Sequence, residues 1–529
     1  MITEAVKTKN LPRALSAEEV GVSSKEVQAF IDECENEGVE IHSLMVLRHG
    51  KVACEAFKEP YNADDAHMMY SVSKSFTSAA IGFAVEEGIL TLETRFLDVF
   101  PWLRPVKYDP YLEKLNVSDL LTMRSGKSVS PMSDRTKDTW LKDFVDSPWV
   151  SEPGTEFKYI SENMYVLCAM IKQLTGQTVT EFLTPRLYEP LGMNVPYWET
   201  CPGGIETGGW GLFLTLEDLA KFTLCYQQMG VYDGVQVIPR SWVEESTKAV
   251  TPSVGDTIDS EQGYGYCFWR CSYEHAYRAD GMFSQFGIVF EDKDAALCVT
   301  GGNIDEQQTR DCIWRHFPKA FDDDANEADA VSLHMPPYEK LPEAPRSFLE
   351  SSLDGKTISF GKAHVLNIMG MPVSILPLAA VFMEKDKAGV IDNVRLSFLE
   401  DRMIMTWTEG DEMNTIPIGM NGDYLRGSIV LGGIAYNTFS IGTWSSEAVL
   451  EVHIRVIETV AERRLVFRFK DGGRVTMEPS TVPASSVMLD NVKSSVKKIL
   501  PSEFIGNLAE KVIPLANPFA DPVHYGKIN

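Results

Sequence analysis

The sequence predicts an α+β chain of two domains: an antiparallel sheet flanked by helices (an α/β sandwich), then an all-β barrel or sandwich. Three observations lead there. Over residues 1–325, strand-like stretches stand at both ends with helical periods between them, so the sheet joins strands distant in sequence. Over 326–347, acidic residues and prolines replace the periodic pattern, which reads as a linker. Over 348–482, apolar and polar residues alternate between turn signals, the pattern of antiparallel strands. Residues 483–529 read as a short helical tail. At 529 residues the chain is too long for one hydrophobic core, which agrees with this division.

The elements follow in order. IHSLMVLRHGKVACEAF reads as two strands joined by a turn at His49-Gly50-Lys51. MMYSVSKSFTSAAIGFAVEEG and LNVSDLLTMRSG are helical in period, and so, after a proline-rich polar loop, is NMYVLCAMIKQLTG. TLEDLAKFTLCYQQMG is a further helix, with Thr215 and Asp218 placed as a capping-box variant. YGYCFWRC and FGIVFEDKDAALCVTGG read as sheet strands. Beyond the linker, VRLSFLEDRMIMTWTEG, LRGSIVLGG and AVLEVHIRVIETVAERRLVFRFKDGGRVTMEP alternate, with turns at Asp411-Glu412, Asn421-Gly422 and Asp471-Gly472-Gly473. Val365–Met383 approaches membrane-spanning length, but its two prolines favour a buried strand–turn–strand or a loop. No internal repeat stands out.

A net charge of −26 repels phosphate backbones and anionic lipid, so neither nucleic acid nor a membrane is expected as a partner. The nine cysteines are scattered and show no CxxC pairing or histidine cluster, so neither zinc nor any other cofactor is called for. Free thiols, and an N-terminal stretch without the apolar centre of a signal peptide, lead to the expectation of a cytoplasmic protein. The oligomeric state is left open.

The quoted helix opens with hydroxyls and a lysine. Residues three apart share a helix face, so Ser71 and Lys74 point to one place. Ser-x-x-Lys is the nucleophile motif of penicillin-recognising serine hydrolases. A serine hydroxyl needs a base to take its proton, and a lysine becomes a base when burial or positive potential lowers its pKa. The helix start supplies the potential, and Phe76, Ile81, Phe83 and Val85 supply the desolvation. The same spacing recurs at Ser359/Lys362, Ser494/Lys497 and Ser495/Lys498, but only Ser71 opens a long apolar helix. The competing reading is an N-cap serine followed by a surface lysine. Ser73 and Ser75 are expected to face elsewhere.

MYSVSKSFTSAAIGFAVEEGILTLETRFLDVFP resembles the serine β-lactamase-like family, related to penicillin-binding proteins, in its class C, esterase and D-aminopeptidase branches. LNVSDLLTMRSG, PGTEFKYISENMYVLCAMIKQLTG and GGWGLFLTLEDLAKFTLCYQQMGVYDGVQVIPRSWVEEST resemble later segments of that family in the same order. The resemblance covers roughly Val20 to Pro318. It implies a β-lactamase-like fold, with an active site between the sheet and an inserted helical subdomain, and hydrolysis of a small ester or amide through an acyl-serine. By the same resemblance Ser71 is the nucleophile, Lys74 the buried base, and Tyr159 the tyrosine that passes the proton to the leaving group. Tyr159-Ile160-Ser161 departs from the class C Tyr-x-Asn by placing Ser161 where asparagine stands. The third motif, Lys-Thr-Gly or His-x-Gly, is met only by Ala279-Asp280-Gly281, which keeps Gly281 and lacks the cation. The resemblance makes the backbone amides of Ser71 and Met282 the oxyanion hole, which depends on no particular side chain.

Substrate carboxylates thereby lose a partner, which argues against a true β-lactamase or D,D-peptidase. Arg278 either replaces the missing cation or is a solvated surface charge. Trp210, Phe213, Tyr264 and Phe283 are candidates for an acyl pocket or for core packing. A ligand-binding paralogue without catalysis is disfavoured by the intact Ser71, Lys74 and Tyr159. There is no Gly-x-Ser-x-Gly elbow, no His-Glu-x-x-His, and Gly126-Lys127-Ser128 lacks the upstream glycine of a P-loop.

Overall fold

The computed structural model describes the chain except residues 1, 5–8, 107, 129–137, 323–324, 361–390, 432 and 485–522. The chain divides into two compact units, Ile2–Pro337 and Tyr338–Asn529. Val365–Met383 lies outside the described residues. Among the described residues no helix is long and apolar enough to cross a membrane.

The first unit is built on a six-stranded antiparallel sheet. Helix α1 (Ser24–Glu37) starts at Ser23, whose side chain accepts the Glu26 N–H, and stops at Gly38 in the left-handed region. Strands β1 (Ile41–Arg48) and β2 (Lys51–Phe57) follow. Arg48 pairs with Lys51, so the connecting turn is His49-Gly50, and both residues have positive φ, the conformation a two-residue hairpin requires. Helices α2 (Ser73–Glu86), α3 (Glu162–Thr175) and α4 (Leu216–Gln227) belong to the long segment before the chain returns to the sheet. The Thr215 side chain accepts the Asp218 N–H, the hydroxyl half of the expected capping box. The sheet is then completed by β3 (Trp269–Arg270), β4 (Ala276–Gly281), β5 (Gln285–Phe290) and β6 (Ala295–Gly301), in the order β2-β1-β6-β5-β4-β3. Helix α5 (Glu306–Ala320) closes the layer.

Strand alternation decides what each face covers. Leu44, Val46, Phe286, Ile288, Leu297 and Val299 form one core with Phe30, Ile31, Ile313 and Phe317 of α1 and α5. Met45, Leu47, Tyr277, Ala279, Val289 and Cys298 face the other way, onto α2 and α4. Central strands buried on both faces explain why LMVL and AALCV read as unbroken apolar runs. All nine cysteines carry free thiols.

The sequence placed a linker at 326–347, yet its first part packs on α1. The Val331 N–H donates to Ser24 Oγ at 2.8 Å, and the His334 N–H to Gln28 Oε1 at 2.8 Å. The unit boundary therefore falls at Pro337.

In the second unit the described strands are β7 (Thr357–Phe360), β8 (Ile391–Phe398), β9 (Arg402–Glu409), β10 (Glu412–Gly419) and β11 (Leu425–Leu431). They continue as β12 (Ile434–Ser446), β13 (Val449–Val456), β14 (Glu462–Lys470), β15 (Arg474–Val482) and β16 (His524–Ile528). Their order is β10-β9-β8-β7-β16-β15-β14-β13-β12-β11, and Gly419 pairs with Ile441 across the two ends, which closes the sheet into a barrel. Side chains alternate in and out, so Met403, Met405 and Trp407 of β9 are buried together with Val452, Ile454, Leu465, Phe467 and Met477. Most of the tail expected as helix, residues 485–522, lies outside the described residues, and the chain ends in β16, seated between β7 and β15. A strand supplied from so far along the chain carries no local signal of its partners.

Candidate active site

The chain enters α2 through a strained turn. Tyr70 has φ 44, a conformation costly for a residue with a side chain, and a 3-10 turn spans Tyr70–Val72 before the α-helix begins at Ser73. Ser71 therefore stands on the lead-in turn rather than inside the helix, partly exposed. Two hydroxyls beside it hold the helix in place. Ser73 Oγ accepts the Leu212 N–H at 3.2 Å, and Ser75 Oγ donates to the Cys267 carbonyl at 2.8 Å.

Lys74 reaches back from α2 and is 1% exposed. Its Nζ donates to Ser71 Oγ at 2.7 Å and to the Gly209 carbonyl at 2.7 Å. Burial pulls its pKa down to about 7, against weaker opposite pulls from Cys267, Glu162 and Asp280. The ammonium also lies 4.7 Å from the centre of the Tyr159 ring. Burial pushes the Tyr159 phenol well above its ordinary pKa, against a weaker downward pull from Ser71, and keeps it protonated. The Tyr159 ring is walled by Trp269 at 5.3 Å and Tyr264 at 6.0 Å, with Phe157 behind them. Lys74 thus bonds the Ser71 hydroxyl and lies over the ring of Tyr159, which comes from a segment far along the chain.

Ser161 sits at the start of α3, against the glycine pair Gly208-Gly209. A Cβ on Gly209 would lie 2.7 Å from the Ser161 carbonyl oxygen and 2.8 Å from its Cβ. Gly208 is equally confined: it has φ 68, and a Cβ there would lie 2.6 Å from Cys168 Sγ. Lys74 takes the carbonyl of Gly209, and Thr77 Oγ1 donates to that of Gly208 at 2.9 Å, so α2 grips this backbone twice. The neighbouring Trp210 is half-buried, 6.2 Å from Trp140, and its indole N–H has no acceptor among the described residues. The structure places it beside the glycine pair.

On the sheet side, β4 ends at Gly281, where any Cβ would collide with the Met69 carbonyl oxygen. That absence of a side chain lets the strand end lie against the turn that carries Ser71. Met282 follows at the surface, 42% exposed. Phe213, Tyr264 and Phe283 are each 1% exposed and pack in the interior, Phe283 against Tyr70 at 5.1 Å.

Arg278 is not a solvated charge. It is 1% exposed; its Nε donates to Asp280 at 2.5 Å and its Nη1 to the Arg270 carbonyl at 2.7 Å. Arg310 shares Asp280, and Asp259 completes the group. Strand alternation turns residue 278 toward α5, away from Ala279 and the α2 side, so its charge is spent on buried carboxylates. The Gly209 carbonyl, the Trp269 wall and the Cys267 carbonyl were not anticipated. Two are backbone atoms, and the third sits in a short strand chosen by pairing.

A sheet with a helical segment inserted between its second and third strands, and a serine–lysine–tyrosine cluster at the first inserted helix, define the β-lactamase-like class. The chain belongs to the Beta-lactamase family, whose pattern it matches over residues 27–301, just over half its length. It is 25% identical over 250 residues to the 6-aminohexanoate-dimer hydrolase of Paenarthrobacter ureafaciens, covering 43% of this chain and 63% of that protein. It is 23% identical over 286 residues to penicillin-binding protein 4 of Amycolatopsis lactamdurans, covering 46% of this chain and 73% of that one. The chain therefore spans less than two thirds of the hydrolase it matches. Its fold is similar to the structure of a putative 6-aminohexanoate-dimer hydrolase from Bacillus anthracis, with a TM-score of 0.50 at 18% identity, over 60% of this chain and 89% of that one.

Proposed function

We propose that the chain is a serine hydrolase that cleaves a small ester or amide through an acyl-Ser71 intermediate. The observation that carries this reading is the 2.7 Å hydrogen bond between a buried lysine, brought near neutrality, and the hydroxyl of Ser71. Uncharged Lys74 takes the Ser71 proton as Oγ attacks the substrate carbonyl. The developing oxyanion is met by the backbone N–H groups of Ser71 and Met282. Tyr159, kept protonated by burial, gives a proton to the leaving alcohol or amine and is reprotonated through Lys74. Water then enters by the same route in reverse and releases the acid.

Hydrolysis of a short amide agrees with the name of the Paenarthrobacter relative, a 6-aminohexanoate-dimer hydrolase. Carboxylate-bearing substrates are disfavoured, because the Ala279-Asp280-Gly281 strand end has Ala279 at the cation's position and the nearby Arg278 is committed to Asp280 inside. Penicillins and peptidoglycan termini fall in that class. The test is a panel of p-nitrophenyl esters and short amides assayed with wild type and Ser71→Ala. Loss of all turnover in the variant, with its melting temperature kept, supports the reading. Unchanged turnover overturns it.

A further inference from the structure

The loop that follows Met282 is held by three side chains outside the catalytic cluster. Gly281 pairs with Gln285, so Met282, Phe283 and Ser284 form a three-residue turn between β4 and β5. Phe283 has φ 64 and Ser284 has φ 71, two consecutive left-handed residues neither of which is glycine. Each such residue costs about 1–3 kcal/mol and persists only where its surroundings enforce it.

The enforcement is visible. The peptide unit joining Met282 to Phe283 is gripped at both ends. Its N–H, on Phe283, donates to Glu306 Oε1 at 3.0 Å, and its carbonyl, on Met282, accepts from Gln285 Nε2 at 3.3 Å. The same Gln285 amide also donates to the Phe283 carbonyl at 3.2 Å and the Gly301 carbonyl at 2.8 Å, and so ties the turn to β6. Ser284 Oγ bonds Thr309 Oγ1 at 2.8 Å, a second link to α5. Arg310, one turn along α5, lies 3.6 Å from Glu306 and steadies it.

We propose that Glu306 is a positioning residue for hydrolysis: by holding the Met282–Phe283 peptide plane, it aims the Met282 N–H at the oxyanion. The inference rests on the acyl-Ser71 reading, in which that amide is the second oxyanion donor. The Gly281–Met282 peptide is fixed on its other side by the contact of Gly281 with Met69. Clamping the next peptide removes the remaining backbone freedom of Met282. Burial and the charge of Asp280 push Glu306 up to about 7, and both of its protonation states keep an oxygen that accepts the Phe283 N–H. The acceptor therefore matters, not the charge.

The experiment measures kcat and KM on p-nitrophenyl butyrate for wild type, Glu306→Gln, Glu306→Asp, Glu306→Ala and Ser71→Ala, with melting curves for each. Glu306→Gln keeps the acceptor and stays within roughly threefold of wild type in kcat. Glu306→Asp withdraws the oxygen by one methylene and Glu306→Ala deletes it, and each loses roughly 10- to 100-fold in kcat with KM little changed. If Glu306→Ala does not fold, the aspartate and glutamine variants decide. Wild-type kcat in Glu306→Asp, or equal losses in Glu306→Gln and Glu306→Asp, overturns the inference, provided Ser71→Ala is inactive. An active Ser71→Ala instead overturns the reading it rests on.

Discussion

The ammonium of Lys74 and the backbone carbonyl of Gly209 lie 2.7 Å apart across 135 residues of sequence. That bond supplies Lys74 with a backbone acceptor in a cluster whose Tyr-x-Asn position holds Ser161. The missing side chain of Gly209 is what allows the glycine pair to lie so close to Ser161. A hydrogen bond to the charged form favours that form, so this carbonyl holds Lys74 from falling further.

Gly209→Ala tests the packing directly. Its Cβ would press on Ser161, where the nearest atom is a backbone oxygen at 2.7 Å that cannot simply rotate away. Overpacking of this kind costs about 1–3 kcal/mol, read as a lower melting temperature. The carbonyl moves off Lys74, so the pH–rate midpoint shifts downward.

Lys74 sets the pH dependence. In the proposed mechanism the neutral amine is the base, and its folded-state pKa is lowered to about 7. kcat/KM therefore rises with pH and levels off above that midpoint, and falls on acidification as the amine takes up its proton. Lys74→Arg cannot release a proton in this range and is expected to lose at least ~100-fold at every pH, measured on the same ester.

Tyr159→Phe keeps the ring under the ammonium and the contacts with Trp269 and Tyr264, and deletes only the hydroxyl. Melting temperature stays near wild type. kcat falls by roughly 10²–10⁴, the usual share of a proton-transferring group. The loss is larger for amides than for activated esters, since an amine leaves only when protonated.

The buried Arg278 carries a prediction about stability. Arg278→Leu leaves Asp259 and Asp280 with Arg310 as their shared cation among the described residues, and removing one partner of a buried ion pair costs about 3–5 kcal/mol. Urea unfolding measures it. The companion substrate test compares a free-acid ester with its methyl ester, and the neutral form is expected to be preferred by roughly tenfold.

What the sequence disclosed follows from the range of each signal. Ser71 and Lys74 were readable because a three-residue spacing brings two side chains together, even where a 3-10 turn leads into the α-helix. The His49-Gly50 hairpin was readable because two residues encode it. Tyr159 became legible only through resemblance to a family, since nothing local marks it. Arg278 was misjudged because its surroundings, Asp259 and Arg310, come from other elements. The Gly209 carbonyl belongs to a backbone that every residue carries, so no composition signals it. β16 was missed for the same reason as the Pro337 boundary: partners decided by tertiary contact override a weak local pattern.

The central claim is that Ser71 becomes acylated. Incubation with a fluorophosphonate followed by peptide mass spectrometry tests it most directly. One adduct is expected, on Ser71 in the peptide containing Tyr70 to Lys74, greatly slowed in Lys74→Arg. An esterase-active protein that carries no adduct on Ser71, or carries it on another serine, contradicts the account.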